Sequence, residues 1–329
     1  MFEGKTCLIT GGTGSWGQEL VARLLSMNLK EIRVFSRNEF RQVAMQRSFG
    51  DRPNLTFLVG DVRDGEAVSK AMQGCDIVFH LAALKHVPIC EAQPEEAMKT
   101  NVLGTRNIIR ASEQHHVDTV VDVSTDKAVN PNNFYGLTKA LGERLMIHAN
   151  REGKGTRFVC VRGGNVLGTN GSVVPLFKEQ ILSCGTVTLT HPDMTRFFLT
   201  IPDAITLLLK AVSLAVGGET FVMRMRTCEI ARLAQVLAHE LTGKPAEIVD
   251  IGVRDGEKLH EELLSRLEAS RAYQLEDDYF VILPPHPNDK LLATYGQLPH
   301  VGFNQLDSRW QPMSDGEIRD LLIRGGFLP

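Results

Sequence analysis

The chain has 329 residues, 43% hydrophobic and 23% charged, with a formal net charge of −3. That is enough material for one large unit or two lobes around an ample core. It argues against nucleic acid or an anionic membrane surface as a partner, because no field of one sign exists to attract either.

The predicted elements begin at once. Short apolar runs, KTCLIT (5–10), EIRVFS (31–36), LTFLVG (55–60), DIVFHLA (76–82), TVVDVS (119–124) and RFVCVR (157–162), are rich in Val, Ile, Leu or Phe and show little strict alternation. Strands covered on both faces of a parallel sheet have this pattern. Helical stretches lie between them, such as GQELVARLLSMN, where Leu20, Val21, Leu24 and Leu25 form one stripe. The alternation predicts an α/β doubly wound parallel sheet of Rossmann type. No secretory leader is expected. Beyond about residue 165, turn-rich pieces alternate with helical ones. Residues 1–164 are therefore assigned to a dinucleotide-binding domain that also carries the catalytic residues. Residues 165–329 are assigned mainly to a smaller substrate lobe, with some segments returning to the sheet. The most apolar stretch, ITLLLKAVSLAV, is broken by Lys210 and is too short to span a bilayer, so no membrane is expected as a partner. Residues 300–329 carry Trp310 and a last helical pattern, with no readable role. Six cysteines (7, 75, 90, 160, 184, 228) are scattered without CxxC or a Cys/His cluster. No metal is expected, and a reducing, cytoplasmic location fits.

The first strand runs into Gly11-Gly12-Thr13-Gly14-Ser15-Trp16-Gly17 and then a helix. Gly11, Gly14 and Gly17, with Thr13 and Ser15 between them, suit a pyrophosphate lying on a helix N-terminus. Where an NAD site usually has an acid, the end of the second strand offers Ser36, Arg37 and, a turn later, Arg41. An arginine fork suits a phosphate, so NADP is favoured over NAD. Asp61 and Val62 follow the third strand, and Asp61 is placed to meet the adenine. Leu81, Ala82, Ala83 and Lys85 follow the fourth, where small residues let a cofactor approach.

The fifth strand ends at Ser124-Thr125-Asp126-Lys127, and a helix is predicted from near Asn133. Tyr135 and Lys139 then stand one turn apart on one face. A nearby ammonium lowers a phenol's pKa, which makes Tyr135 a base for a hydroxyl proton and lets Thr125 share the hydrogen bond. Tyr135 and Lys139 would also touch the cofactor.

FHLAALKHVPICEAQPEEAMKTNVLGT (79–105), VSTDKAVNPNNFYGLTK (123–139), NVLGTNGSVVPLF (165–177), MTRFFLT (194–200) and GVRDGEKLHE (252–261) occur in this order. They resemble the extended short-chain dehydrogenase/reductases and, more narrowly, the short UDP-N-acetylglucosamine 4,6-dehydratases of the polysaccharide biosynthesis protein family, some of which invert carbon 5. The resemblance implies hydride transfer from carbon 4 to NADP with Tyr135 as base, then removal of the carbon 5 proton by a neutral Lys127. A protonated Asp126 would donate to the departing carbon 6 hydroxyl, and hydride would return to carbon 6. Lys127 would need a lowered pKa and Asp126 a raised one. The resemblance further implies Asn165 at the diphosphate or sugar, Val173 in the same pocket, Arg196 and Arg254 at the UDP phosphates, Glu257 at the uridine ribose, and Lys85 and His86 beside the sugar. It also implies a homo-oligomer, through a four-helix contact made by the helices around 101–115 and 134–149. Two positions depart from the family: Gly163, where Tyr is frequent, and Asp255, where Pro is frequent. A UDP-sugar 4-epimerase and a catalytically silent NADP-binding regulator are the competing readings; an epimerase needs no Asp126–Lys127 pair, and a regulator needs no catalytic set.

Overall fold

The structure, a computed structural model, describes residues 1–168 and 172–328. The first half alternates strand and helix: β1 Thr6–Thr10, α1 Ser15–Leu25, β2 Glu31–Ser36, α2 Glu39–Phe49, β3 Leu55–Val59, α3 Gly65–Met72, β4 Ile77–His80, α4 Val87–Ala92, α5 Pro94–Ala97, a π-helical stretch Met98–Leu103, α6 Gly104–Gln114, β5 Thr119–Thr125, α7 Phe134–Glu152 and β6 Arg157–Gly163. In space the strands run β3-β2-β1-β4-β5-β6, all parallel, with the order reversing between β1 and β4. Ligands bind at such a reversal, beyond the strands' C-terminal ends. The sheet then continues through Thr220–Met223, Tyr279–Ile282 and Ala272–Glu276 to nine strands. The last two are antiparallel additions.

Burial on both faces explains the weak alternation in the sequence. Cys7 and Ile9 pack with Leu20, Val21 and Leu24 of α1 and with Ile205, Leu208 and Val212 of helix Ile201–Leu214. Leu8 faces the other way, onto Val68, Met72, Ile108 and Met146 of α3, α6 and α7. Fully burying one such leucine contributes roughly 2 kcal/mol. The edge strand β3 departs from the expectation: it is only partly covered, and Val59 is exposed.

A second core joins helices Val173–Cys184, Ile230–Thr242 and Asp315–Arg324 through Phe177, Ile181, Leu233, Leu237, Ile318 and Leu322. The C-terminal segment, unreadable in sequence, thus closes this second core. Its short strand Leu306–Asp307 pairs antiparallel with Glu262–Leu264.

Candidate active site

The glycine loop works by close packing. A Cβ on Gly17 would lie 2.2 Å from the Gly12 carbonyl oxygen, so only glycine lets α1 start against this loop. Its neighbours Gly11, Thr13, Gly14 and Ser15 open onto a cavity of about 770 Å³. Ser36, Arg37 and Arg41 at the end of β2, Asp61 and Val62 after β3, and Leu81, Ala82, Ala83, Lys85 and His86 after β4 form the next wall. Asp61 is already engaged: Arg63 lies 2.6 Å from Oδ2 and Arg37 3.9 Å from it. Burial pushes its carboxyl up, but its bonds to Arg63 outweigh this and hold it below the usual range. Gln42 donates to the Ser36 hydroxyl at 3.0 Å and fixes that strand end.

β5 ends at Thr125, and one 3₁₀ turn, Asp126–Ala128, follows. The Thr125 hydroxyl donates to Asp126 Oδ1 at 2.9 Å, and Lys127 Nζ donates to the same oxygen at 3.0 Å. Lys127 Nζ also reaches Glu261 Oε1 at 3.4 Å and Asn165 Oδ1 at 3.4 Å. Helix α7 comes close because residue 136 is glycine: a Cβ there would stand 2.1 Å from the Lys127 carbonyl oxygen. Asn133 caps the helix, accepting from Gly136 N at 2.7 Å. This approach brings the Tyr135 phenol into hydrogen-bonding reach of Thr125. One turn on, Lys139 Nζ lies 3.2 Å from Asp122 Oδ2, with both side chains buried.

Two expected pKa directions are reversed. Burial pushes the Tyr135 phenol up, and the charges of Lys139 and Lys127 with the Thr125 bond only partly oppose it. Burial pulls Lys127 down, but Asp126 and Glu261 together outweigh it and leave the ammonium raised rather than lowered. The reason is the second carboxylate, Glu261, which residue spacing does not reveal. For Lys139 the partner is Asp122, so its charge is committed in part to β5 instead of to the phenol.

The cavity wall also takes in Thr125, Lys127, Tyr135, Asn165, Val173, Arg196, Arg254 and Glu257. Of the candidate site residues, Asp126 and Lys139 alone do not line it; both lie behind the wall, fully or almost fully buried. Arg196 Nη2 stands 3.6 Å from Glu257 Oε1, and Glu257 Oε2 accepts from Arg254 N at 3.3 Å, so these three form one group. Residues 169–171 of the NVLGTNGSVVPLF block lie outside the described residues. Sequence reasoning missed Trp16, Ser172, Thr188, Thr190 and Glu261, all on the cavity wall. The Ser172 hydroxyl is buried without a partner among the described residues. A charged Asp122 inside an apolar strand was the one visible signal of a buried pair. Among the described residues no group of His, Cys, Asp and Glu could hold a metal ion, and no helix is long and apolar enough to cross a membrane.

Gly163, at the end of β6, has an explanation in Trp16. A Cβ there would meet Trp16 Cη2 at 3.3 Å, so the indole of the glycine loop fills the space a larger residue would need. Gly163→Tyr is expected to destabilise the protein by about 1–3 kcal/mol through overpacking. Adding Trp16→Ala should recover part of that loss in a thermal-unfolding double-mutant cycle.

A doubly wound sheet whose switch-point cavity holds a glycine loop, a strand-end Thr-Asp-Lys turn and a Tyr/Lys helix defines an extended short-chain dehydrogenase/reductase. Residues 7–283 match the family described as polysaccharide biosynthesis protein, and the chain belongs to that family. The chain is 47% identical over 291 residues to an uncharacterized membrane protein of Methanocaldococcus jannaschii, covering 86% of this chain and 87% of that one. It is 44% identical over 285 residues to a UDP-glucose 4-epimerase of Rickettsia rickettsii, covering 85% and 83%. The crystal structure of Pen from Bacillus thuringiensis is similar with a TM-score of 0.93 and 38% identity over 100% of both chains. A dTDP-glucose 4,6-dehydratase from Streptomyces venezuelae shares the fold, with a TM-score of 0.73 and 21% identity over 98% of both.

Proposed function

We propose that the chain is an NADP-dependent UDP-N-acetylglucosamine 4,6-dehydratase that inverts carbon 5 and works as a homo-oligomer. The observation that carries this reading is Lys127: its ammonium faces the same cavity as Tyr135 and is clasped by two buried carboxylates. A 4-epimerase moves no carbon 5 proton and has no use for such a group.

The residues fit a nicotinamide dinucleotide. Gly17 packs where a side chain cannot, the loop before it faces the cavity, and the β2 end carries Ser36 and two arginines where an NAD site has an acid. When bound, the dinucleotide supplies a reversible hydride store. Tyr135 takes the carbon 4 hydroxyl proton, with Thr125 sharing the bond and Lys139 offsetting the charge that develops. Lys127, once it has passed its own proton to the Asp126 carboxylate it bonds, takes the carbon 5 proton, which a carbon 4 ketone makes acidic. Asp126, which bonds Lys127 from behind, gives that proton to the departing carbon 6 hydroxyl, and the oxygen leaves as water. Arg196 and Arg254 suit a diphosphate, because a guanidinium presents paired donors to phosphate oxygens. Glu257 accepts from ribose hydroxyls, while Asn165, Val173, Lys85 and His86 border the sugar.

Replacing Arg37 with alanine should weaken NADP binding by roughly 10–100-fold, the worth of a charge-assisted pair, and leave NAD binding nearly unchanged. Titration of both cofactors checks this, and clearly tighter NAD binding by the unaltered protein would remove the NADP preference. The second reading, a UDP-sugar 4-epimerase, is favoured by the printed activity of the Rickettsia relative. Mass spectrometry of the reaction with UDP-N-acetylglucosamine separates the two. A dehydratase gives a product lighter by one water, and an epimerase gives an isomer of unchanged mass.

A further inference from the structure

We propose, on the reading that Arg254 and Arg196 hold a diphosphate, that Asn133 is a positioning residue. It couples the turn that carries Arg254 to the helix that carries Tyr135.

The Asn133 amide works at both ends. Its Oδ1 accepts from Gly136 N at 2.7 Å and so caps α7, with Tyr135 in the first turn. Its Nδ2 donates to the Gly256 carbonyl at 2.9 Å and to Asn132 Oδ1 at 3.3 Å. A backbone N–H on one side and a backbone carbonyl on the other fix which end is oxygen. The residue is 4% exposed, and both donors of its amide are committed to the protein. Asn133 therefore holds two segments together instead of meeting a substrate.

Gly256 belongs to the turn Arg254–Glu257. Glu257 N donates to the Arg254 carbonyl at 3.0 Å, and Gly256 has a φ of +75° while Asp255 does not have a positive φ. This is a type II turn, which needs positive φ at its third position and favours proline at its second. The second position is Asp255, so the turn lacks the fixed φ that a proline supplies. It is held from outside instead. A Cβ on Gly256 would lie 2.8 Å from Asn133 Cβ and 3.2 Å from Glu91 Oε1. Glu91 Oε1 is the other group that caps α7, accepting from Phe134 N at 2.6 Å. The turn thus packs against both caps of the catalytic helix.

The chain beyond the turn is tied to the same loop. Lys258 Nζ donates to the Val129 carbonyl at 2.9 Å, and Asn130 Nδ2 donates to Glu262 Oε2 at 2.8 Å. A ligand that orders the turn therefore also orders the start of α7, and an ordered start favours the ligand by the same factor. Binding energy from the nucleotide, remote from the reacting carbons, is in this way used to align Tyr135.

The test uses the full chain, with UDP as the binding probe and UDP-N-acetylglucosamine as substrate. Asn133→Asp keeps an oxygen to cap α7 and replaces the amide donor with an oxygen that faces the Gly256 carbonyl. UDP should then bind roughly 10-fold more weakly, the worth of one hydrogen bond together with a carbonyl left unpaired. The kcat should fall by on the order of 10-fold, with NADP binding and Tm nearly unchanged. Gly256→Ala pushes the turn off Asn133 from the other side and should give the same losses. The double variant should be no worse than the worse single one, because both changes break one contact. Unchanged UDP affinity in Asn133→Asp overturns the proposal, and so do additive losses in the double variant. Weaker UDP binding at unchanged kcat would make Asn133 a nucleotide clamp alone and overturn the coupling. A fall in Tm that takes UDP and NADP binding down together is the result of a lost cap, and overturns it as well. If Asn133→Asp does not fold, Gly256→Ala decides by the same comparison of UDP with NADP. Absence of UDP binding by the unaltered protein would remove the diphosphate from Arg254 and Arg196, and the proposal with it.

Discussion

Replacing Lys127 with methionine is expected to lower dehydratase turnover on the order of 10³-fold while sparing cofactor binding. The side chain keeps its length but loses the nitrogen, so neither carbon 5 exchange nor elimination can proceed. Reduced nicotinamide should then accumulate under single-turnover conditions, because Tyr135, Thr125 and Lys139, which serve the oxidation at carbon 4, keep their side chains. Absorbance of the reduced cofactor together with product assay checks it. Normal turnover in the methionine variant would remove Lys127 from the mechanism.

The second large effect concerns the frame. Arg162, near the end of β6, is buried between Glu143 of α7, at 2.7 Å, and Glu268 of the short helix Arg266–Ala269, also at 2.7 Å. It is bidentate to each carboxylate. The triad joins the helix that carries Tyr135 and Lys139 to the segment just beyond Glu261. Arg162→Met leaves two buried carboxylates without a cation, and should cost about 3–5 kcal/mol and lower Tm by roughly 5–10 °C. The effect depends on pH. Burial alone would raise the Glu268 carboxyl, but Arg162 outweighs it and holds the group down at about 2, against an ordinary 4.5. A depressed carboxylate contributes stability that is complete above its unfolded pKa and lost as pH falls through the folded one. The unaltered protein should therefore lose stability between about pH 4.5 and about pH 2. The variant's unpaired carboxylates, raised by burial, gain protons already above pH 4.5, so the gap between the two proteins should begin to close above pH 4.5 and shrink further as the unaltered protein loses stability below it. Denaturant unfolding at neutral and acidic pH measures that gap, and a constant gap would contradict the assignment.

The nucleotide half of the fold was legible because each run of Val, Ile and Leu is short and bounded by a glycine or a polar turn. β2 falls on the predicted residues, β1, β3, β5 and β6 differ from them by one position at one end, and β4 is shorter by one residue at its start and two at its end. Burial on both faces erases alternation, yet leaves length and the intervening helical stripes as signals. The smaller lobe was not legible in that way. Its strands run two to five residues, and two of its sheets pair segments far apart in sequence, such as Glu247–Asp250 with Thr186–Leu189. The cavity likewise was readable only where chemistry is local. Gly11–Gly17 and Thr125–Lys139 each act within one loop or one helix, so spacing describes them. Glu261 meets Lys127 across 134 residues, and Asp122 meets Lys139 from another element. Those partners decide the charge state of the two lysines, and they reversed the pKa direction that sequence alone suggests for Lys127. Trp16 over Gly163 is a third case: a glycine that looks like a missing side chain is a seat for one contributed elsewhere.

The most direct measurement is proton NMR of the product formed from UDP-N-acetylglucosamine in deuterated water. The account predicts a 4-keto sugar with a methyl group at carbon 6, deuterium at carbon 5 and an inverted carbon 5 configuration. A 4-epimer that keeps its carbon 6 hydroxyl and its original carbon 5 proton would contradict it.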